Sequence, residues 1–210
     1  METLFVALGY GIYALLAVLA LWGAFSVIMV WRRVAHTRFA SEFDQDEFLN
    51  ELEQALVAKN FSGAMELCDD DRRAMPQLAL YAITNRELGV TKLQRRVAER
   101  FQQDVLADID HRLSWVNTVI KSAPMIGLLG TVIGMMGAFA NLSSGDKVDT
   151  VKMAEDIQFA LITTACGLAI AVPLVLCTAS INIRLSKTED LVGLGLGRLF
   201  EQLKSVLPGS

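Results

Sequence analysis

The stretch that decides the fold is EDIQFALITTACGLAIAVPLVLCTASIN, Glu155 to Asn182. After its opening acidic pair no charged residue occurs from Ile157 to Ile183. That run exceeds the roughly 20 apolar residues a helix needs to cross a bilayer, and far exceeds the roughly 10–14 of a buried soluble helix. Yet it holds two adjacent threonines, Thr163 and Thr164, together with Gly167 and Pro173. Small residues on a lipid-crossing helix favour close contact with other helices.

Two further segments are free of charge over a comparable length, Thr3–Trp31 and Ser122–Gly145. With 53% hydrophobic residues and a mean hydropathy of +0.40, the chain reads as an all-α membrane protein with three spans. The first span has no basic residue before it and Trp31-Arg32-Arg33 after it, so it reads as an uncleaved anchor rather than a secretory signal. Arg32, Arg33 and Arg38 follow span 1, Arg112 and Lys121 precede span 2, and Arg184 and Lys187 follow span 3. Between spans 2 and 3, Lys147 and Lys152 are offset by Asp146 and Asp149. Positive charge gathers on the cytoplasmic side, so the N-terminus is expected outside and the C-terminus inside. The expected organisation is a transmembrane helix over 1–31 and a cytoplasmic helical region over 32–121. A second span over 122–145, a short outer loop over 146–156, a third span over 157–183 and a cytoplasmic helix over 184–210 complete it.

The net charge of −4 arises largely in the inner region, in EFDQDEFLNELE (42–53) and Asp69-Asp70-Asp71. Such runs are usually solvated faces, and an acidic balance does not suit nucleic acid. Cys166 and Cys177 would lie roughly 16 Å apart on one helix, beyond disulfide reach. His36 and His111 stand far apart in sequence, and no nucleophile–base pair or phosphate-binding glycine loop appears. No metal, cofactor or enzymatic activity is expected.

In the inner region, Phe43, Phe48, Leu49, Leu52, Leu56 and Val57 sit at helical spacing among acids. A short helix pair should follow, AMELC (64–68) starting after Ser62-Gly63 and QLALYAI (77–83) opened by Pro76, with Leu88-Gly89-Val90-Thr91 as a break. From Leu93 the apolar residues Val97, Phe101, Val105, Ile109 and Leu113 recur every four positions. This predicts one helix running into span 2 with no breaker before Pro124. Beyond Arg184, Val192, Leu196, Leu199, Leu203 and Val206 form a coiled-coil-like seam, weakened by Gly193, Gly195 and Gly197. An apolar stripe in water must be covered, either by the 32–121 region of the same chain or by neighbouring copies. A monomeric helical bundle is the plainer alternative.

Span 2 contains APMIGLLGTVIGMMGAFANL (123–142), in which Gly127, Gly130, Gly134 and Gly137 share one face. Thr163, Gly167 and Ala171 share a face of span 3. Both faces suit dense helix packing. Thr131, Thr163 and Thr164 lie at similar depth, and together they suggest a polar lining or an interhelical hydrogen-bond site, although each alone would be satisfied by its own helix. Pro173 removes a backbone donor near mid-span. No Asp, Glu, Lys, Arg or His lies in the central part of any span, whereas proteins that move ions alone normally keep such a residue.

Spans 2 and 3, with APMIGLLGTVIGMMGAF and ALITTACGLAIAVP, resemble the two signature segments of the MotA/TolQ/ExbB proton channel family. The three-span layout with a large first inner loop resembles its ExbB/TolQ branch. The resemblance implies a pentameric ring in the bacterial inner membrane around a small ExbD/TolR-like partner. That partner has a single span with an intramembrane aspartate, and proton passage drives mechanical work. It also implies that Thr131 and Thr164 face the pore near that aspartate, with Thr163 adjacent. Where ExbB and TolQ usually carry a glutamate, this chain has Phe159; its acids, Glu155 and Asp156, lie about one turn further out, where they would serve the outer mouth or mark the membrane boundary. The competing reading is a non-conducting scaffold whose threonines join helices. A single-span, acid-bearing protein encoded next door would separate the two.

Overall fold

The computed structural model describes residues 2–39, 41–143 and 149–206. Of the expected outer loop, Asp146 and Lys147 lie outside the described residues, and so does Gly145. The elements are α1 (Glu2–Thr37), α2 (Glu42–Val57), α3 (Phe61–Cys68), α4 (Ala74–Thr84), a 3-10 turn (Arg86–Leu88), α5 (Val90–Arg100), a π-helical stretch (Phe101–Leu106), α6 (Ala107–Ser143) and α7 (Thr150–Val206). No strand occurs among the described residues. Three of the helices are long and apolar enough to cross a membrane.

α7 begins at Thr150, inside the segment expected to be loop. The Asp149 carboxylate explains the early start, accepting hydrogen bonds from the Val151 and Lys152 amides at 3.0 and 3.1 Å. The chain forms two compact units, Met1–Met29 with Arg112–Ser180, and Val30–His111 with Ile181–Ser210.

In the first unit, α1 buries Ile12, Leu16 and Val27. It meets α7 where Gly9 faces Phe159, and both α6 and α7 where Gly23 faces Val119 and Leu174. Trp22 and Trp115 stand edge to face with centroids 6.3 Å apart. The outward faces of α6 and α7 carry exposed Leu128, Val132, Phe139, Leu161, Val172 and Leu176. Such a surface suits lipid or another apolar helix rather than water.

In the second unit, Leu49, Leu52 and Leu56 of α2 pack with Met75, Leu78 and Ile83 of α4, Leu93 and Val97 of α5, and Val192, Leu196, Leu199 and Leu203 of α7. The coiled-coil-like seam is therefore covered within the chain. Its glycines do not end the helix. Gly195 lies against Met75, where an added Cβ would stand 3.0 Å from the sulfur, while Gly193 and Gly197 face open space. Gln45 donates to the Leu191 carbonyl at 2.7 Å, and Arg198 reaches Glu53 at 2.9 Å, Asn50 at 2.9 Å and Asp46 at 3.2 Å. These side-chain bonds tie α7 to α2.

Three further boundaries depart from the sequence expectation, each for a local reason. α3 starts at Phe61 rather than after Gly63, because the Asn60 side chain accepts from the Gly63 amide at 3.0 Å. Pro76 sits in the first turn of α4 rather than ahead of it, where a missing N–H costs little. The helix expected to run unbroken from Leu93 widens into the π-helical stretch at 101–106. A strict four-residue apolar repeat drifts about 40° per step around an α-helix. One wider turn takes up that drift, so Val97 and Ile109, on either side of it, are both buried.

α2 ends in a Schellman arrangement, with the Asn60 amide donating to Ala55 O and the Lys59 amide to Leu56 O, both at 2.9 Å. Lys59 occupies the left-handed position with φ 55°, which glycine adopts without steric cost. Lys59→Gly is expected to raise stability by about 1 kcal/mol, measured as a shift in denaturant midpoint with unchanged slope.

Burial, helped by the charge of Asp71, pushes the Cys68 thiol up to about 12. In the unfolded chain the thiol ionises near roughly 8.5. Below that pH its contribution to stability is complete. Between there and about 12 the folded state holds the extra proton, so stability falls as pH rises. At pH 8 the folded protein should leave Cys68 unmodified by an aromatic disulfide reagent, with denaturation exposing it; peptide mapping reads the outcome.

Candidate functional site

The first unit is organised by the seam between α6 and α7. A Cβ added at Gly127 would lie 2.8 Å from the Thr163 carbonyl oxygen, and one at Gly134 would lie 2.6 Å from the Asp156 carbonyl oxygen. From the other side, a Cβ at Gly167 would lie 2.6 Å from the Ala123 carbonyl oxygen. The two backbones therefore touch, and only glycine fits at these three positions. At Gly130 the neighbour is the Thr163 side chain, and at Gly137 it is the Asp156 carboxyl group, with Cγ 3.1 Å from an added Cβ.

Thr163 is fully buried in this seam. Its hydroxyl stands 2.9 Å from the Ala160 carbonyl, a donor to its own helix, and 3.4 Å from the Gly127 carbonyl. A residue expected to border a pore is thus enclosed between helices, because position 163 shares the α7 face that Gly167 presents to α6. Thr164, about 100° further round, is half-buried and donates to the Gly127 carbonyl at 3.0 Å. Thr131 is half-buried, one turn along α6 from Gly127, and donates to Leu128 O at 2.6 Å. The Gly127 carbonyl is thus a point where a hydrogen bond joins the two helices.

Of the acidic pair, Asp156 lies half-buried over Gly137 and Glu155 is exposed. Phe159 points elsewhere. Its ring stands edge to face with Tyr13 of α1 at 5.4 Å and would be 3.3 Å from a Cβ on Gly9. An aromatic ring here fills space between α1 and α7 and takes no part in the α6 seam. Pro173 is exposed, and α7 remains helical through it.

Two features escaped the sequence reading. One is the contact of α1 with α7 through Gly9, Tyr13 and Phe159. The other is Thr178, buried with a hydroxyl that has no hydrogen-bond partner among the described residues. Thr178 continues the buried face of α7 through Ala160, Thr163, Ala171 and Leu174; steps of three and four extended past Ala171 would have found it. Chemically, α7 from Ile157 to Ile183 offers hydroxyls, thiols and carbonyls and no Asp, Glu, Lys, Arg or His. That stretch can hydrogen-bond a proton carrier but supplies no carboxylate, imidazole or amine of its own.

The profile of the MotA/TolQ/ExbB proton channel family matches residues 73–192. The Helicobacter pylori biopolymer transport protein ExbB-like 2 is 40% identical over 81 residues, covering 39% of this chain and 52% of that protein. The Tol-Pal system protein TolQ of Haemophilus influenzae is 35% identical over 88 residues, covering 42% of this chain and 39% of TolQ. The Pseudomonas putida biopolymer transport protein ExbB is 30% identical over 146 residues, covering 67% of this chain and 43% of that protein. The chain spans about half or less of the length of these curated relatives.

Proposed function

The chain belongs to the MotA/TolQ/ExbB proton channel family, in the branch of its ExbB and TolQ relatives, and we propose that it is a ring subunit of a proton-motive-force-driven energising complex in the bacterial inner membrane. The ring is pentameric and surrounds a single-span, ExbD/TolR-like partner whose intramembrane aspartate takes up and releases the proton. The N-terminus and the 146–156 segment face outward; the 32–121 region and the C-terminus face the cytoplasm.

The observation that carries this reading is the bond from the Thr164 hydroxyl to Gly127 O, in a unit whose α7 has no Asp, Glu, Lys, Arg or His from Ile157 to Ile183. A buried charge in the wall would attract or repel the partner's carboxylate and bias its protonation. A neutral wall of hydroxyls leaves that carboxylate free to titrate, and the hydroxyl oxygens, whose protons go to backbone carbonyls, can accept a hydrogen bond from its protonated form. Thr164 and Thr131 supply that wall, and the wholly buried Thr163 packs the seam behind them. Glu155 and Asp156 stand at the outer mouth.

The test is proton uptake into liposomes carrying this chain alone, with the single-span acidic protein encoded beside it, and with that protein's membrane aspartate replaced by asparagine. Flux only in the second preparation supports the motor reading. No flux in any favours a non-conducting scaffold, and equal flux above that of protein-free liposomes in all three overturns the partner's aspartate as the proton carrier.

A further inference from the structure

The second unit carries two rows of side chains that its own contacts leave over. On α5, Arg95 pairs with Glu99 at 2.8 Å and Arg100 with Asp104 at 2.9 Å. Lys92 and Arg96, one turn apart and exposed, have no ion pair or hydrogen bond among the described residues. Four residues before Lys92, at the end of the 3-10 turn that Gly89 (φ 81°) separates from α5, Leu88 is 42% exposed. These residues, with Tyr81, border a groove of 670 Å³.

On α2, Asp46 and Glu53 pair with Arg198, and Glu42 with Lys187. Glu47 and Glu51, one turn apart and exposed, have no such partner among the described residues. One turn before them Phe43 is 73% exposed. This row lies about 170° around α2 from the buried face of Leu49, Leu52 and Leu56.

The rows match term by term: Phe43, Glu47 and Glu51 against Leu88, Lys92 and Arg96. Each is an apolar residue followed by two like charges at four-residue steps, and the charges are opposite. Within one copy they do not pair. We propose that the α2 row of one copy docks, parallel in chain direction, into the α5 groove of the next. Phe43 meets Leu88 and Tyr81, and Glu47 and Glu51 meet Lys92 and Arg96. Such a head-to-tail contact uses two different surfaces and repeats around a closed ring. The inference rests on the ring reading above, and it assigns the neighbour contact within the second unit to ion pairs with an apolar end.

The experiment uses full-length chain co-produced with its single-span neighbour. Gln54→Cys is placed in one tagged copy and Glu99→Cys in a differently tagged copy. These positions continue the two rows and leave all four charges intact. At low salt a short bismaleimide should join the two tags, dependent on both added cysteines. Lys92→Glu with Arg96→Glu should lower the yield about tenfold, as should Glu47→Lys with Glu51→Lys. All four reversals in one chain should restore it, and molar salt should weaken the wild-type contact. A multi-copy assembly by native mass that gives no cross-link, or charge reversals that are not mutually rescued, overturns the groove contact and leaves the ring standing. A single copy by native mass overturns the ring itself. Binding to phosphatidylglycerol vesicles that is lost in the Lys92→Glu/Arg96→Glu variant, with no cross-link in the wild type, assigns the groove to anionic lipid and overturns the proposal.

Discussion

Replacing Gly134 by valine is expected to separate α6 from α7 and abolish assembly of the complex. A Cβ at this position would lie 2.6 Å from the Asp156 carbonyl oxygen and 2.8 Å from the Ala160 Cβ. Because the first of these is backbone, no rotamer change relieves the clash. The helix axes must part, which removes the contacts at Gly127, Gly130 and Gly167 together. The loss should exceed the roughly 3 kcal/mol of ordinary overpacking. Size-exclusion profiles and thermal melts in detergent measure it. Gly11→Ala is the control, since no atom lies within 4 Å of its added Cβ and little beyond a small helix-propensity gain is expected. A Gly134→Val protein that assembles normally would mean that the α6–α7 seam is not what holds the unit together.

The second large effect separates two neighbouring hydroxyls. Thr164→Val keeps the shape of the side chain and removes its bond to Gly127 O. The structural cost should be near about 0.6 kcal/mol, the average for interhelical hydrogen bonds in lipid. Proton flux should nevertheless fall to background, because the proposed contact to the partner's carboxylic group goes with the hydroxyl. Thr163→Val should leave flux intact, since the Thr163 hydroxyl is enclosed and donates to Ala160 O. Flux equal in both variants, with assembly verified, would remove Thr164 from the proton path.

The three long apolar helices and the α6–α7 seam were legible because each has a one-dimensional signature: absence of charge over a fixed length, and glycines at steps of three and four. What Thr163 and Thr164 do was not legible. Adjacent positions on a helix differ by about 100°, and the sequence does not say which of the two meets α6. The role of α1 was hidden for a related reason. Gly9 and Gly23 meet neighbouring helices while Gly11 meets nothing, and composition does not distinguish them. In the second unit, Leu49, Leu52, Leu56, Leu93 and Val97 are buried as their spacing implies, whereas Phe43 and Val57 of the same α2 pattern are exposed, and the start of α3 depended on a side-chain cap by Asn60 that competes with the glycine signal at position 63.

The π-helical stretch at Phe101–Leu106 has a bearing on how this chain compares with others of its lineage. Such a turn accommodates one residue more than an α-helix of the same length. Removing a single exposed residue there, Gln102 or Gln103, would tighten the turn to ordinary α geometry and leave both flanks in phase. A deletion within α5 or α6 would rotate everything downstream. This short segment is therefore the natural place for alignments to open a one-residue gap, and a homologue shorter by that residue would need no compensating change elsewhere.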